Sequence, residues 1–107
     1  MDAALKALAE PRRREILRLV WSEELPAARI AARFDDVTRS AVSQHLKVLR
    51  EADLVVERRD GTRRLYRSNH AEMDRLRRFL DGYWTLSLHR LQDLAESAER
   101  ARGASRG

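Results

Sequence analysis

Residues 38–68, "TRSAVSQHLKVLREADLVVERRDGTRRLYRS", decide the fold of this chain, because their apolar residues change period halfway along. Val42, Leu46 and Leu49 recur at i, i+4 and i+7, the spacing of a helix with one face in the core. This stripe predicts a helix over 39–52, after which the apolar residues alternate as they do in strands.

The second half of this stretch predicts a β-hairpin. The short runs "LVVERR" and "RLYRS" flank Asp60 and Gly61. Asp-Gly between two strand-like runs is a strong hairpin signal, since glycine adopts a positive φ without strain. At the other end of the helix, the Thr38 hydroxyl can accept a hydrogen bond from a free backbone N–H and act as the N-cap.

Three short helices are predicted before residue 38. Asp2 is the expected N-cap of "DAALKALAE", and Pro11 opens "PRRREILRLVWSEE", because proline suits the first turn of a helix. Pro26 opens another helix over 26–33. The pair 26–33 and 39–52, joined by a tight turn, predicts a helix-turn-helix over 26–52, with the hairpin over 54–68 as its wing.

A long last helix is predicted over 71–98, with Asn69 or Ser68 as its cap, and the tail 99–107 is expected to be disordered. We therefore expect a mainly α-helical winged helix-turn-helix domain over 1–98. One broad side of the last helix carries more apolar surface than the rest of the chain can cover: Met73, Leu76, Leu80, Tyr83, Trp84, Leu88, Leu91 and Leu94, extended by Phe79 and Leu86.

Composition narrows the class of protein. The chain has 107 residues, a net charge of +5 and no cysteine, which excludes disulfides, thiolate metal sites and cysteine nucleophiles. No apolar run approaches the roughly 20 residues of a membrane span, and the N-terminus lacks the pattern of a signal peptide. We expect a cytoplasmic protein. No nucleophile–base pair, carboxylate pair or glycine-rich phosphate loop is present, so we expect neither an enzyme nor a cofactor.

The helix-turn-helix predicts binding to double-stranded DNA. In this motif the second helix enters the major groove, and its N-terminal residues contact base edges. Glutamine pairs with adenine and arginine or lysine with guanine, whereas wing arginines reach phosphates. The candidate DNA-binding residues are Thr38, Arg39, Ser40, Ser43, Gln44 and Lys47 on the helix, and Arg58, Arg59, Thr62, Arg63 and Arg64 on the wing.

Several of these side chains also have a simpler interpretation. Serine and glutamine on a helix surface usually serve only solvation, and the run of basic residues 12–14 fits a solvated face better than a contact to nucleic acid. His45 beside the apolar stripe fits a packed or hydrogen-bonded histidine better than a catalytic one. Tyr66 on the hairpin fits packing better than phosphate contact.

"LAEPRRREILRLV" and "SAVSQHLKVLREADLVVERRDGTRRLYR" resemble the ArsR-type winged-helix transcriptional regulators of bacteria over residues 5–68. The resemblance implies a homodimer that binds a palindromic operator and represses transcription, commonly of its own operon. The family builds its dimer from the first and last helices. The implied interface residues here are Leu5, Leu8, Leu76, Leu80, Tyr83, Trp84, Leu88 and Leu91.

Two departures from the family pattern bear on function. Asp53 stands where the family often has glycine, at a helix end that favours a left-handed backbone. Many members sense metals through cysteines, which this chain lacks, so it resembles the cysteine-free, metal-independent members. The effector that would relieve repression stays unknown. A zinc-type metal-responsive repressor and a winged-helix protein-interaction module remain as alternatives, the former with weak candidate ligands His70, Asp74, His89 and Asp93.

Overall fold

The computed structural model describes residues 1–105. The five helices and the hairpin follow one another in the predicted winged helix-turn-helix order, with one further short strand before the third helix. The chain forms two units, residues 1–76 and the part from residue 77 onward, which are described separately. The elements are α1 (Asp2–Leu8), α2 (Pro11–Leu19), β1 (Leu25–Pro26), α3 (Ala27–Ala31), α4 (Arg39–Glu51), β2 (Val55–Asp60), β3 (Arg63–Ser68) and α5 (His70–Ser105).

The core of the first unit is built on the apolar stripe of α4. Val42, Leu46 and Leu49 are almost fully buried, as their spacing predicts, and they pack with Ile16 of α2 and Ile30 of α3. Thr38 caps α4, since its Oγ1 accepts a hydrogen bond from the Ala41 N–H at 3.0 Å. The cap and the stripe together fix where α4 starts and which face it turns outward.

The end of α4 is a Schellman motif. The Leu54 N–H donates to the Leu49 carbonyl and the Asp53 N–H to the Arg50 carbonyl, each at 2.9 Å. Asp53 has a φ of 62°, the left-handed conformation that its position predicts. This sharp stop lets the chain turn directly into β2.

The hairpin is present, and a third strand joins it. Gly61 has a φ of 64° and lies in the turn between Asp60 and Arg63, which are paired across β2 and β3. The strand that sequence patterning missed is β1, which pairs antiparallel with β3 and gives the sheet order β1-β3-β2. Pro26 ends this edge strand and is also the N-cap residue of α3, which begins at Ala27. Proline is tolerated at a sheet edge because its missing N–H is not needed there.

Asn69 connects the end of the wing, the end of α4 and the start of α5. Its side-chain Oδ1 accepts from the Glu72 N–H at 3.3 Å, so Asn69 and not Ser68 caps α5. Its Nδ2 donates to the Asp53 carbonyl at 2.9 Å. Its backbone N–H donates to the Leu54 carbonyl at 2.9 Å.

The first two helices are joined through arginine side chains. Arg13 donates to the Ala7 carbonyl at 3.4 Å, and Arg14 donates to the Leu8 carbonyl at 2.7 Å. These guanidinium groups satisfy free carbonyls at the C-terminal end of α1, where positive charge is also favoured by the helix dipole. The first helix begins at Asp2 with Met1 as its cap residue and no side-chain cap, so the predicted capping role of Asp2 was wrong.

Helix α5 is longer than its sequence pattern predicts. It continues through Ser105, although 99–107 was expected to be disordered; residues 106 and 107 lie outside the described part. Glu99 and Arg102 form an ion pair one turn apart, which favours the helix in this segment. Among residues 1–105, no helix combines the length and the apolar content that crossing a membrane requires.

Candidate nucleic-acid interface

The outward face of α4 carries the predicted recognition residues. Because Val42, Leu46 and Leu49 face the core, the opposite side of the helix is left to solvent. The six candidates on α4 and its N-cap are all exposed: Thr38, Arg39, Ser40, Ser43, Gln44 and Lys47. This edge offers hydroxyl, amide and cationic groups, the chemistry that base edges and phosphates accept.

The start of α4 and the wing tip border one concavity of about 570 Å³. Arg39 and Ser43 line it from α4, and Thr62 and Arg63 from the hairpin. Arg29 of α3 also lines it, a residue that sequence reasoning missed. The available signal was a basic residue on the first helix of the motif, which lies beside the second. With Arg64 the concavity has four guanidinium groups and no lining carboxylate.

The wing places two arginines directly opposite each other. Arg59 and Arg64 are paired across β2 and β3, and both side chains are exposed. Like charges in this relation repel each other unless an anion lies between them. Arg64 is partly compensated by Glu57 at 3.4 Å, whereas Arg59 forms no ion pair with any residue from 1 to 105. This part of the wing therefore has uncompensated positive charge.

Arg58 is in a different environment from its neighbour Arg59. Successive residues of a strand face opposite sides of the sheet, and the Arg58 guanidinium forms two-pronged hydrogen bonds with the Glu24 carboxylate, with Nε–Oε2 at 3.0 Å. The Arg58 hydrogen bond lowers the pKa of Glu24. Arg58 was predicted as a DNA contact, but the structure gives it an internal partner 34 residues away.

The basic run of residues 12–14 is neither a free solvated face nor an open cationic patch. Arg12 pairs with Glu15 and with Asp36, and Arg13 and Arg14 close the end of α1. These three arginines hold the fold together.

His45 is hydrogen-bonded, as expected for a histidine beside the apolar stripe. Arg13 Nε donates to His45 Nδ1 at 3.3 Å. Burial, followed by the positive charge of Arg13, lowers the pKa of His45. A neutral imidazole with a free Nδ1 lone pair is the form that this donor requires. Tyr66 is also a packing residue, since it lies in the core beneath the sheet.

The weak metal-ligand candidates are His70 and Asp74 in the first unit and His89 and Asp93 in the second. His70 Nε2 hydrogen-bonds the Trp21 carbonyl at 2.7 Å, and its ring lies 4.4 Å from the Trp21 indole. A carbonyl can only accept, so this nitrogen carries the proton and cannot bind a metal in this arrangement. Within residues 1–105, no group of three or more His, Cys, Asp or Glu side chains is placed to hold a metal ion.

The candidate dimer residues divide between the two units. In the first unit, Leu5 is exposed and Leu8 is half-buried. Leu76 is only 3% exposed and belongs to the core. Its assignment to the dimer interface was wrong, because the start of α5 packs this side chain within its own unit.

In the second unit, α5 carries a long exposed apolar side. Tyr83 is 67% and Trp84 63% exposed, unusually high for such large rings. Leu80, Leu88, Leu91 and Leu94 continue this side at intervals of three or four residues. An exposed apolar row of this length is typical of a surface that contacts another protein, a membrane or a ligand.

Comparison with known proteins agrees with this geometry. A helix-turn-helix domain family matches residues 8–58. The chain is 42% identical to the HTH-type transcriptional regulator Rv2034 of Mycobacterium tuberculosis, over 90% of this chain and 89% of that protein. It is 33% identical to the arsenical resistance operon repressor of Staphylococcus xylosus, over 76% and 77% of the two chains.

A solved structure supports the same relationship. The homodimeric winged helix-turn-helix DNA-binding domain Mb0332 of Mycobacterium bovis, described as a possible ArsR-family regulator, superimposes with a TM-score of 0.63. It is 32% identical, and the match covers 75% of this chain and 73% of that one. On this similarity, and on the helix-turn-helix and wing described above, the chain belongs to the ArsR family of winged helix-turn-helix transcriptional regulators.

Proposed function

We propose that this protein is a homodimeric transcriptional repressor that binds an inverted-repeat operator through α4 and the wing. The observation that carries the proposal is the concavity bordered by Arg39, Ser43, Thr62 and Arg63, with Arg29 at its side. A cationic recess between a polar helix edge and a hairpin tip matches the sugar-phosphate backbone at the border of a groove.

The two parts of this surface have different tasks in the proposed complex. The N-terminal edge of α4 enters the major groove, where Gln44 pairs with adenine and Arg39 with guanine. Arg59 and Arg64 of the wing bind phosphates, and an anion between them removes their mutual repulsion. The helix edge supplies sequence preference, and the wing supplies affinity that depends on salt.

The dimer uses the apolar side of α5, with Leu5 and Leu8 of α1 as further members. Burial of Leu80, Tyr83 and Trp84 against a second copy removes exposed apolar surface from water. The homodimeric state of the Mycobacterium bovis relative supports this assembly. In such a dimer the two α4 helices lie about 34–36 Å apart, one turn of DNA, and the two-fold symmetry of the dimer makes the operator an inverted repeat.

Repression by this protein is proposed to be independent of metal ions. The chain has no cysteine, and among residues 1–105 no three His, Asp or Glu side chains are grouped to hold a metal ion. A zinc-type site would therefore have to draw ligands from two copies, from among His70, Asp74, His89 and Asp93. Equal operator affinity with added zinc and with a chelator is the expected result, and a chelator-dependent change would contradict it.

The test of the DNA-binding proposal is a gel shift with the DNA upstream of the protein's own gene, at physiological salt. A palindromic site should bind more tightly than random DNA of equal length. In the Gln44→Ala variant one base preference should be lost, at a cost of about 1–3 kcal/mol. Gln92→Ala, on α5, is the matched control and should bind as the unmodified protein does. Equal binding to all sequences would refute specific recognition.

A further inference from the structure

A second recess lies away from the DNA-binding surface. Its volume is about 490 Å³, within the range of roughly 300–1,000 Å³ that small-molecule sites occupy. Arg14, Leu17, Arg18 and Trp21 line it from one side of α2 and the residues after it. Leu8, which also belongs to the proposed dimer interface, lines it from α1, and the first turns of α5 contribute Met73. All of these residues belong to the first unit.

The apolar part of this recess is fixed before any ligand arrives. Leu17 is buried at its base. Trp21 is 44% exposed, yet its ring lies against His70 and its carbonyl accepts the hydrogen bond from the same histidine. The indole therefore presents one face to the recess at little further cost in conformational entropy.

The polar part of the recess is cationic. Arg14 is held by its hydrogen bonds to the Leu8 and Ala9 carbonyls, both of which are made through Nη1. The N–H groups of Nε and Nη2 therefore stay available to donate to a ligand. Arg18 makes no side-chain hydrogen bond or ion pair with any residue in the described part of the chain. No lining side chain is acidic, and the hydroxyl of Ser22 lies at the border.

We propose that this recess binds a monocarboxylate with an apolar body, such as a medium-chain acyl anion. The body lies on Leu17, Met73 and the Trp21 ring, and the carboxylate accepts hydrogen bonds from Arg14 and Arg18. Guanidinium groups match a carboxylate with paired, charge-assisted hydrogen bonds. A cation with the same apolar body is excluded by the two arginines. This site does not depend on the proposed binding to DNA.

The two tryptophans of the chain allow the site to be tested directly. In full-length protein carrying Trp84→Phe, Trp21 is the only indole, and decanoate should cause a saturable change in its emission. Decyltrimethylammonium, the cationic probe of the same length, should cause none. In the matched Trp21→Phe protein, decanoate should not change the emission of Trp84 in a saturable way.

Two charge reversals in the Trp84→Phe background complete the test. Arg18→Glu should weaken decanoate binding roughly tenfold or more, because a charge-assisted hydrogen bond is lost. Arg59→Glu, with the same charge change on the wing, should leave it unchanged. Equal binding of both probes, a response at Trp84 alone, or no binding because a second copy of the chain fills the recess would each overturn the proposal.

Discussion

The neighbouring arginines 58 and 59 give the most discriminating test of the proposed interface. Arg58 is held by the Glu24 carboxylate, whereas Arg59 has no ion-pair partner among residues 1–105. Replacing Arg59 with glutamine should remove one phosphate contact per chain. Replacing Arg58 and Glu24 together with glutamine leaves the net charge of the chain unchanged and should remove none.

The size of the effect follows from counterion release. Each phosphate contact contributes about 0.9 to the slope of log K against log salt, so a dimer that loses two contacts should show a slope smaller by about 1.8. Between about 50 and 200 mM salt, the affinity of Arg59→Gln should therefore fall roughly tenfold less than that of the unmodified protein.

Fluorescence anisotropy with a labelled operator duplex over a salt series measures both slopes. The double variant Arg58→Gln with Glu24→Gln should retain the slope of the unmodified protein. If the double variant flattens the slope as much as Arg59→Gln does, Arg58 contacts DNA and its internal ion pair does not restrain it. If Arg59→Gln leaves the slope unchanged, the wing does not bind phosphate through this residue.

Three further predictions concern assembly and stability. Leu80→Glu should convert the dimer to a monomer in analytical ultracentrifugation at micromolar concentration. The control Thr85→Glu, on another side of α5, should remain a dimer. A dimeric Leu80→Glu variant would contradict the proposed interface. Asp53→Gly should raise the free energy of unfolding by about 0.5–1 kcal/mol in urea titration, because glycine adopts the positive φ more readily; a loss of stability would show that Asp53 is not strained. His45 should make the fold acid-sensitive, because the unfolded chain takes up a proton near the ordinary pKa of 6.5 and the folded chain, whose pKa is lowered, does not. This contribution of His45 to the free energy of unfolding should be present at pH 7.5 and should decline as the pH falls below 6.5. The decline should be smaller in His45→Gln. Equal pH profiles of stability for the two proteins would refute the role of His45.

The features that sequence predicted correctly depend on neighbouring residues. The stripe of Val42, Leu46 and Leu49, the Thr38 cap and the positive φ of Gly61 each follow from spacing or backbone chemistry within a few residues. The positive φ of Asp53 is also a local feature, because a helix commonly ends in a residue with a left-handed backbone conformation.

The features that sequence missed depend on distant partners. Strand β1 has only two residues and exists because Leu25 and Pro26 meet β3 forty residues later, at Tyr66 and Leu65. Leu76 lies on the same apolar side as the exposed leucines, and only packing within the first unit separates it from them. The Glu24–Arg58 ion pair likewise joins residues that no local pattern connects.

The Asn69 side chain links the start of α5 directly to the segment that ends α4. One side chain holds the first turn of α5 with its carbonyl oxygen, and its amide nitrogen donates to the Asp53 carbonyl in the Schellman motif that follows α4. A twist applied to the first turn of α5 therefore acts on the end of α4 through two hydrogen bonds, with no flexible loop to absorb it. In the proposed complex, a ligand or partner that shifts the first turn of α5 would therefore act on the angle at which α4 meets DNA.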